Sequence, residues 1–356
     1  MDKSDKPPVL LGFTGLAALT FGMMVGAGIF NIPQNMAVGA GAGAVILSWL
    51  ITAAGMLLLV FTFKKLTDLR PDLDAGIYQY SAEGFGPFLG FNMAWGYWLC
   101  TAFANVAYAV MLNDTVGAFL PELLDHGWAT MIFGITLIWL YYFIVASGMK
   151  TAKVLIVVLS VVKIAAILFI IVLLGLNFHY DTFSLGDFSD ASGLIDQVKS
   201  TMLVTLWCFI GIEGASMMSG RAKRSSDVGR ATVAGFFAAW ILYVLVSVFC
   251  YGVMSRAELA GLEDPSVAYC LREVIGPWAY WLVILSVIVS LGGGWVAWTL
   301  VCAEVPYAAA RVKIFPRSFL RLNRRQMPAY GLSISSVVMT LFLLLVMTAD
   351  DVYLSA

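Results

Sequence analysis

Long apolar runs separated by short polar segments make up almost the entire sequence. Runs of about 20 residues match the thickness of the hydrocarbon core of a bilayer, so each predicts one membrane-spanning helix. We predict nine spans, at about residues 10–31, 42–63, 87–118, 128–147, 152–175, 201–220, 231–254, 277–310 and 328–349. No Pro- or Ser-rich linker divides them. The pattern therefore predicts an all-α polytopic membrane protein with a single transmembrane domain over residues 1–356.

Composition and charge support this class and give an orientation. The 356 residues are 61% apolar and 12% charged, against about 45–50% and 25% in soluble domains. Seventeen of the 21 Lys and Arg residues lie in the amino terminus and in the loops after the even-numbered spans. By the positive-inside rule, we expect a cytoplasmic amino terminus and, with an odd number of spans, an external carboxyl terminus.

The sequence offers little for enzymatic or metal chemistry. Five cysteines lie mostly within the apolar runs without CxxC spacing, which favours packing over disulfides or metal ligation. The two histidines, His126 and His179, fall in predicted loops. No nucleophile–base pair or phosphate-binding loop is visible. We therefore expect no metal, no cofactor and no enzymatic activity.

Two predicted spans carry glycines that favour an interrupted helix. The first contains Gly26-Ala27-Gly28 followed by Pro33, and the sixth contains Gly211 and Gly214 on either side of Glu213. Glycine lowers helix propensity by about 1 kcal/mol relative to alanine, and proline removes a backbone donor. Close packing of small residues between helices is the alternative interpretation. Interrupted helices at matching positions of two halves are typical of a transporter's midplane site, so a repeat of five plus five inverted spans follows as a hypothesis.

Glu213 is the most informative residue of the sixth span. A carboxylate at membrane depth costs roughly 2.5–3.5 kcal/mol on insertion scales. Binding of a cationic ligand would offset this cost, and a hydrogen bond to another helix would be a structural alternative. Trp207 lies six residues earlier, about 9 Å away along a continuous helix. The two side chains can therefore meet one ligand only if the helix breaks near Gly211.

Other polar and aromatic residues within the spans are candidates with structural alternatives. Trp207 and Trp298 could hold a flat cation between their rings, although each ring alone could equally serve packing. Lys163 could carry a proton or act as a fixed cation bonded to carbonyls of the first interruption. Asn105 and Tyr108 share one face of the third span. Glu304 is expected to be a structural or gating acid on the cytoplasmic side.

Four segments of the sequence resemble one transporter family. They are GAGIFNIPQNMAVGAGAGAVILSWLITAAGM, RPDLDAGIYQYSAEGFG, LVTLWCFIGIEGASMMSGRAKRSSDVGRAT and WTLVCAEVPYAAA. With them, the chain resembles the amino acid–polyamine–organocation superfamily, specifically its arginine/ornithine antiporter group. The resemblance implies a leucine-transporter-type fold with discontinuous helices one and six, a first repeat over about 10–175 and a second, incomplete repeat over about 197–349.

The resemblance also implies roles for individual residues. Gly26, Ala27 and Gly28 would hold the substrate carboxylate and amine. The remaining substrate-binding candidates are Asn105 for the side-chain head group, Tyr108 on the same face, Trp207 as the aromatic gate, Ile210, Glu213 and Trp298. The gating or charge candidates are Tyr97, Lys163 and Glu304, of which Lys163 is similar to a lysine that replaces sodium in proton-coupled relatives.

The sequence departs from the family pattern in two ways. Ala27 stands where the family commonly has serine, so one hydroxyl is lost. Family members have about twelve spans, whereas nine are predicted here, so the second repeat is expected to lack its fifth helix. The sequence leaves open whether this is a truncated form, whether a partner supplies the rest, or whether the chain does not transport.

The function implied by the resemblance is exchange of cationic amino acids, arginine for ornithine, by alternating access in a bacterial inner membrane. Lysine transport, proton-coupled uptake, and a non-transporting binding or sensor protein are the alternatives. The expected partners are these small cationic amino acids, the lipid bilayer and a second copy in a homodimer. Nucleic acid is not expected.

Overall fold

The computed structural model describes residues 11–124, 127–185 and 193–347, so His126 lies outside the described residues. Within these ranges the chain is helical, and its one β-bridge pairs Leu11 with Ala222. The α-helices are α1 (Phe13–Met24), α2 (Ile32–Ala37), α3 (Ala42–Leu69), α4 (Ile77–Phe85), α5 (Pro87–Gly117), α6 (Trp128–Ala146), α7 (Met149–Leu176), α8 (Leu194–Trp207), α9 (Gly214–Met217), α10 (Ser225–Val253), α11 (Arg256–Ala260), α12 (Ser266–Ile275), α13 (Pro277–Arg311) and α14 (Ala329–Met347). Short 3₁₀ segments lie at Ala27–Phe30, Pro121–Leu123, Ser219–Arg221 and Arg317–Leu320.

Six of the described helices are long and apolar enough to cross a membrane: α3, α6, α7, α10, α13 and α14. The chain is therefore a multi-pass membrane protein. The third predicted span coincides with the continuous helix α5, which is not one of these six. The first and sixth predicted spans are each divided into shorter pieces. The count of nine spans stays a prediction.

Helix α13 forms the centre of the bundle. Its most apolar window is 72% buried, against 28–44% for the other five apolar helices. It packs against α1, α5, α7, α12 and α14. Glycines permit this close approach, since a Cβ on Gly293 would lie 2.9 Å from the Cβ of Leu159. An element in contact with so many others is suited to carry site residues.

Helix α8 is attached to α3 by paired hydroxyls. Ser48 and Thr201 are 2.7 Å apart, and Thr52 and Thr205 are also 2.7 Å apart. All four side chains are buried, where a hydroxyl needs a partner because no water is available. These two pairs position the carboxyl end of α8, and hence Trp207, relative to the bundle.

Candidate functional site

The first helix is interrupted where its glycines lie. Helix α1 ends at Met24, Val25 and Gly26 are extended, and a 3₁₀ turn begins at Ala27. A Cβ on Gly26 would lie 2.9 Å from the Tyr108 hydroxyl, so a side chain there would displace the end of Tyr108. Glycine at position 26 thus allows α5 to approach the backbone closely.

The last carbonyls of α1 are satisfied by other helices. A helix leaves its final carbonyl groups without partners in its own ladder. Here four consecutive carbonyls, from Met23 to Gly26, each accept a hydrogen bond from a buried or half-buried side chain. The donors are the indole nitrogen of Trp298 to Met23 (3.1 Å), the Tyr243 hydroxyl to Met24 (2.7 Å), the Lys163 ammonium to Val25 and the Ser290 hydroxyl to Gly26 (2.8 Å).

The sixth predicted span is interrupted between Trp207 and Gly214. Helix α8 ends at Trp207, a turn follows, and α9 begins at Gly214. Gly211 adopts a φ of +103°, which side chains rarely tolerate. A Cβ there would also lie 2.7 Å from the Cβ of Met23. The two interruptions therefore touch each other, and the first turn of α9 is fixed to α1 by the Ala215 amide, which donates to the Thr20 hydroxyl at 3.0 Å.

Glu213 is 9% exposed and lies inside the second interruption. One carboxylate oxygen accepts a hydrogen bond from the Tyr97 hydroxyl at 2.6 Å, and the other accepts one from the Gly211 amide at 3.2 Å. Tyr97 belongs to α5, so its bond to Glu213 is the hydrogen bond to another helix that the sequence left open as a structural alternative. The role of Glu213 in ligand binding stays a prediction.

The strip from Gly26 to Gly28 meets open space at Gly28. Gly28 is exposed and has no atom within 4 Å of an ideal Cβ, whereas Ala27 is buried and Gly26 is half-buried. The first amides of a helical segment have no partner within it, and they carry partial positive charge. This geometry allows a carboxylate to approach the amides of residues 27 and 28.

The two candidate tryptophans occupy different environments. Trp207 is 73% exposed and lines an apolar groove with Leu203, Leu206 and Ile210. Trp298 is buried, and its indole nitrogen bonds to Met23. The rings are not in contact in this structure, so the predicted sandwich would require movement of Trp207.

Asn105 and Tyr108 both link α5 to α13. Asn105 is buried; its amide nitrogen donates to the Thr101 carbonyl (2.7 Å) and its oxygen accepts from the Thr299 hydroxyl (2.8 Å). The Tyr108 hydroxyl approaches Gly26, and its ring lies 6.5 Å from that of Trp295. Tyr108 therefore borders the first interruption, and Asn105 joins α5 to α13.

Glu304 does not join the interruptions. It forms an ion pair with Arg221 at 2.6 Å, with side chains 5% and 2% exposed. Arg221 also donates to the carbonyl of Gln326 (3.2 Å). Near this pair, Asp74 faces Arg311 at 3.3 Å, and all four residues line one small cavity. We refer to these four residues as the ion-pair cluster.

The sequence did not identify several residues that shape the site. Tyr243, Ser290 and Thr20 bond to the interrupted segments, and Arg221 neutralises Glu304. The glycine run at 292–294 was an available sequence signal that α13 packs closely against its neighbours here, since a Cβ on Gly294 would lie 2.6 Å from the Tyr108 hydroxyl. Hydroxyl groups on an apolar helix give no comparable indication.

Comparison with known proteins identifies relatives across nearly the whole chain. A family model described as amino acid permease matches residues 11–356. The chain is 40% identical to the arginine/agmatine antiporter of Chlamydia abortus, covering 96% of this chain and 73% of that protein. It is also 40% identical to the arginine/agmatine antiporter of Chlamydia pneumoniae, covering 99% of this chain and 75% of that protein.

Solved structures show the same fold at low sequence identity. A Na⁺-coupled sialic acid symporter, in a substrate-bound outward-open state, matches with a TM-score of 0.63 and 11% identity, covering 95% of this chain and 73% of that one. Mhp1, a nucleobase-cation-symport-1 family transporter in a closed conformation, matches with a TM-score of 0.58 and 15% identity, covering 99% and 76%. The chain therefore shares its fold with these two structures.

Proposed function

The chain belongs to the amino acid permease family, and from this premise we propose that it exchanges cationic amino acids across a bacterial plasma membrane by alternating access. The observation that carries the proposal is the contact between two interrupted helices at Met23 and Gly211, with the buried acid Glu213 beside it. A buried carboxylate is costly unless it is hydrogen-bonded or meets a cation. The site therefore suits a positively charged substrate.

In this proposal the substrate spans both interruptions. Its α-carboxylate binds the amides of Ala27 and Gly28, entering from the open space beside Gly28. Its cationic side chain extends towards Trp298 and Asn105, and Glu213 exchanges its bond from Tyr97 to the substrate. Ala27 supplies only its backbone amide, where a serine would add a hydroxyl.

The remaining candidate residues have proposed roles in closing and opening the substrate site. Trp207 moves from its exposed position over the ligand, with Ile210 following on the same turn. The ion-pair cluster, including Glu304, closes the opposite end. With the amino terminus in the cytoplasm, as the loop charges predict, this closed end faces the cytoplasm. Exchange of arginine for ornithine or lysine, which carry the same net charge, moves no net charge, so no coupled ion is required. Exchange for agmatine, which has no carboxylate, would instead carry positive charge across the membrane in each cycle.

Arginine is the proposed first substrate, because the relatives named above are arginine/agmatine antiporters. Those names favour agmatine as the counter-substrate, whereas the sequence motifs favour ornithine. Agmatine lacks the carboxylate that the amides of Ala27 and Gly28 would bind. The two counter-substrates therefore test different parts of the site.

Uptake of labelled arginine into proteoliposomes tests the proposal. Vesicles preloaded with agmatine, ornithine or lysine should take up arginine, while empty vesicles should not. Trp298→Leu and Glu213→Ala should reduce uptake at least tenfold, and Trp128→Leu, at an exposed site on α6, should not. Uptake that needs a pH gradient and is abolished in Lys163→Met would indicate proton coupling instead. Binding without uptake would contradict antiport.

A further inference from the structure

The hydroxyl of Tyr243 lies between the two interrupted helices. It is 2.7 Å from the carbonyl of Met24, the last residue of α1, and 3.0 Å from the carbonyl of Cys208, the residue after α8. Tyr243 itself belongs to α10 and is 1% exposed. One side chain from a third helix therefore contacts the backbone of both interruptions.

The ring that carries this hydroxyl is held in place by aromatic contacts. Trp49 stacks on Tyr243 with ring centroids 5.5 Å apart and an interplanar angle of 13°. Phe209, inside the second interruption, meets the Tyr243 ring edge-on at 6.0 Å. The Trp49 indole nitrogen in turn donates to the Ser247 hydroxyl at 2.9 Å. A ring fixed in this way determines where its hydroxyl lies.

Tyr243 differs from the other three donors to the α1 carbonyls. Trp298 bonds to the Met23 carbonyl of α1, and Lys163 and Ser290 bond to the extended residues Val25 and Gly26 that follow it. Among these four donors, Tyr243 alone also lies within hydrogen-bond distance of the second interruption, at the Cys208 carbonyl. Its hydroxyl has one hydrogen and two acceptors within reach, so it can donate fully to only one carbonyl at a time.

We propose that Tyr243 is a positioning residue that keeps the two interruptions in register, and that its hydroxyl passes between the Met24 and Cys208 carbonyls as they shift. This inference rests on the proposed function, and it means that Tyr243 preorganises the substrate site without touching the substrate. Without the hydroxyl, the donor that the two carbonyls share is lost, and the two segments move independently. The binding-competent arrangement is then less populated, and the apparent affinity for the substrate falls by the same factor as that population.

Tyr243→Phe is the test, and Tyr251→Phe is a matched control. Tyr251 lies on the same helix and is also buried, and its hydroxyl donates to the Ala40 carbonyl at 2.8 Å, away from both interruptions. Both substitutions remove one hydroxyl and one tyrosine-to-carbonyl bond. Any general effect of that loss on stability is therefore shared, and only an effect on the site is specific to Tyr243.

Two measurements on purified protein separate the outcomes. We expect Tyr243→Phe to raise the dissociation constant for arginine by roughly five- to tenfold, as for loss of one buried hydrogen bond, and Tyr251→Phe to leave it within twofold. Without substrate, amide exchange should rise in both segments 22–28 and 207–213 in Tyr243→Phe, and in neither in Tyr251→Phe. Unchanged affinity, or faster exchange in only one segment, would overturn the proposal.

The design also separates this inference from the proposed function. If the unaltered protein binds no arginine, the proposed function fails, and the exchange measurement still tests Tyr243. If Tyr243→Phe does not fold, Trp49→Phe replaces it, because it removes the bond to Ser247 and loosens the Tyr243 ring. We then expect a smaller rise in the dissociation constant, and an unchanged value would contradict the inference.

Discussion

The ion pair between Arg221 and Glu304 gives a quantitative prediction. Both side chains are at least 95% buried, and their charged groups are 2.6 Å apart. Removing one partner of a buried pair leaves a charge that is neither hydrated nor neutralised, at a cost of about 3–5 kcal/mol. We therefore expect Glu304→Gln and Arg221→Met each to lower the free energy of unfolding by about this amount.

Arg221→Met should be the more damaging of the two single substitutions. Its guanidinium also donates to the Gln326 carbonyl at 3.2 Å and lies 5.8 Å from the Tyr307 ring centroid. These contacts add about 1–3 kcal/mol. In the double variant no unpaired charge remains, so the loss should be smaller than in either single variant.

A double-mutant cycle on the free energy of unfolding in detergent measures this coupling. Lys64 and Asp68 are the control pair: they are four residues apart on α3, 2.8 Å from each other, and 40% and 44% exposed. Their coupling should be about 0.3–0.5 kcal/mol, and added salt should reduce it. Single-variant losses at Arg221 and Glu304 that simply add, or that stay below about 1 kcal/mol, would refute the reasoning.

Two further predictions follow from backbone conformation and from a helix cap. Gly211→Ala should lower the free energy of unfolding by about 3–5 kcal/mol, because it combines positive-φ strain with overpacking. Gly276→Ala, at φ +115° with open space around it, should cost only about 1–3 kcal/mol. Thermal unfolding of both variants checks this, and equal losses would contradict a steric role for position 211. Since the Ser255 hydroxyl and amide hold the pKa of Glu258 below its ordinary value, the cap of α11 is complete above that value and is lost as pH falls through the lowered pKa. Amide exchange at residues 255–260, corrected for intrinsic rates, should accelerate there, and Ser255→Ala, which removes the hydroxyl and keeps the backbone amide, should reduce the pH dependence.

The sequence located the interruptions because their causes are local. Gly26 and Gly211 lie where the structure breaks the helices, and Glu213 lies within the second break, as expected. Glycine acts through its own backbone freedom, so its position alone carries the information. Hydropathy located the long helices because an apolar run is likewise a local property of the sequence.

The partners of buried polar groups could not be predicted in this way. The hydroxyl of Tyr243 meets a carbonyl 219 residues away in the chain, and the acid of Glu304 meets Arg221, which the sequence assigned only to a basic loop. The bond from the Trp298 indole nitrogen to Met23 was not foreseen either, and the contact of its ring with a ligand stays a prediction. Such pairings depend on how helices pack, which periodicity does not encode.

The hydroxyl pairs between α3 and α8 have a consequence for how the site could move. Ser48 and Thr52 are spaced four residues apart, as are Thr201 and Thr205, so each pair repeats after one helical turn. A slide of α8 by about 5.4 Å in one direction would place Thr201 opposite Thr52 and re-form one bond of the two. A slide in the opposite direction would place Thr205 opposite Ser48. Displacements of α8 by a whole turn would therefore keep one hydroxyl pair, whereas smaller displacements would keep neither.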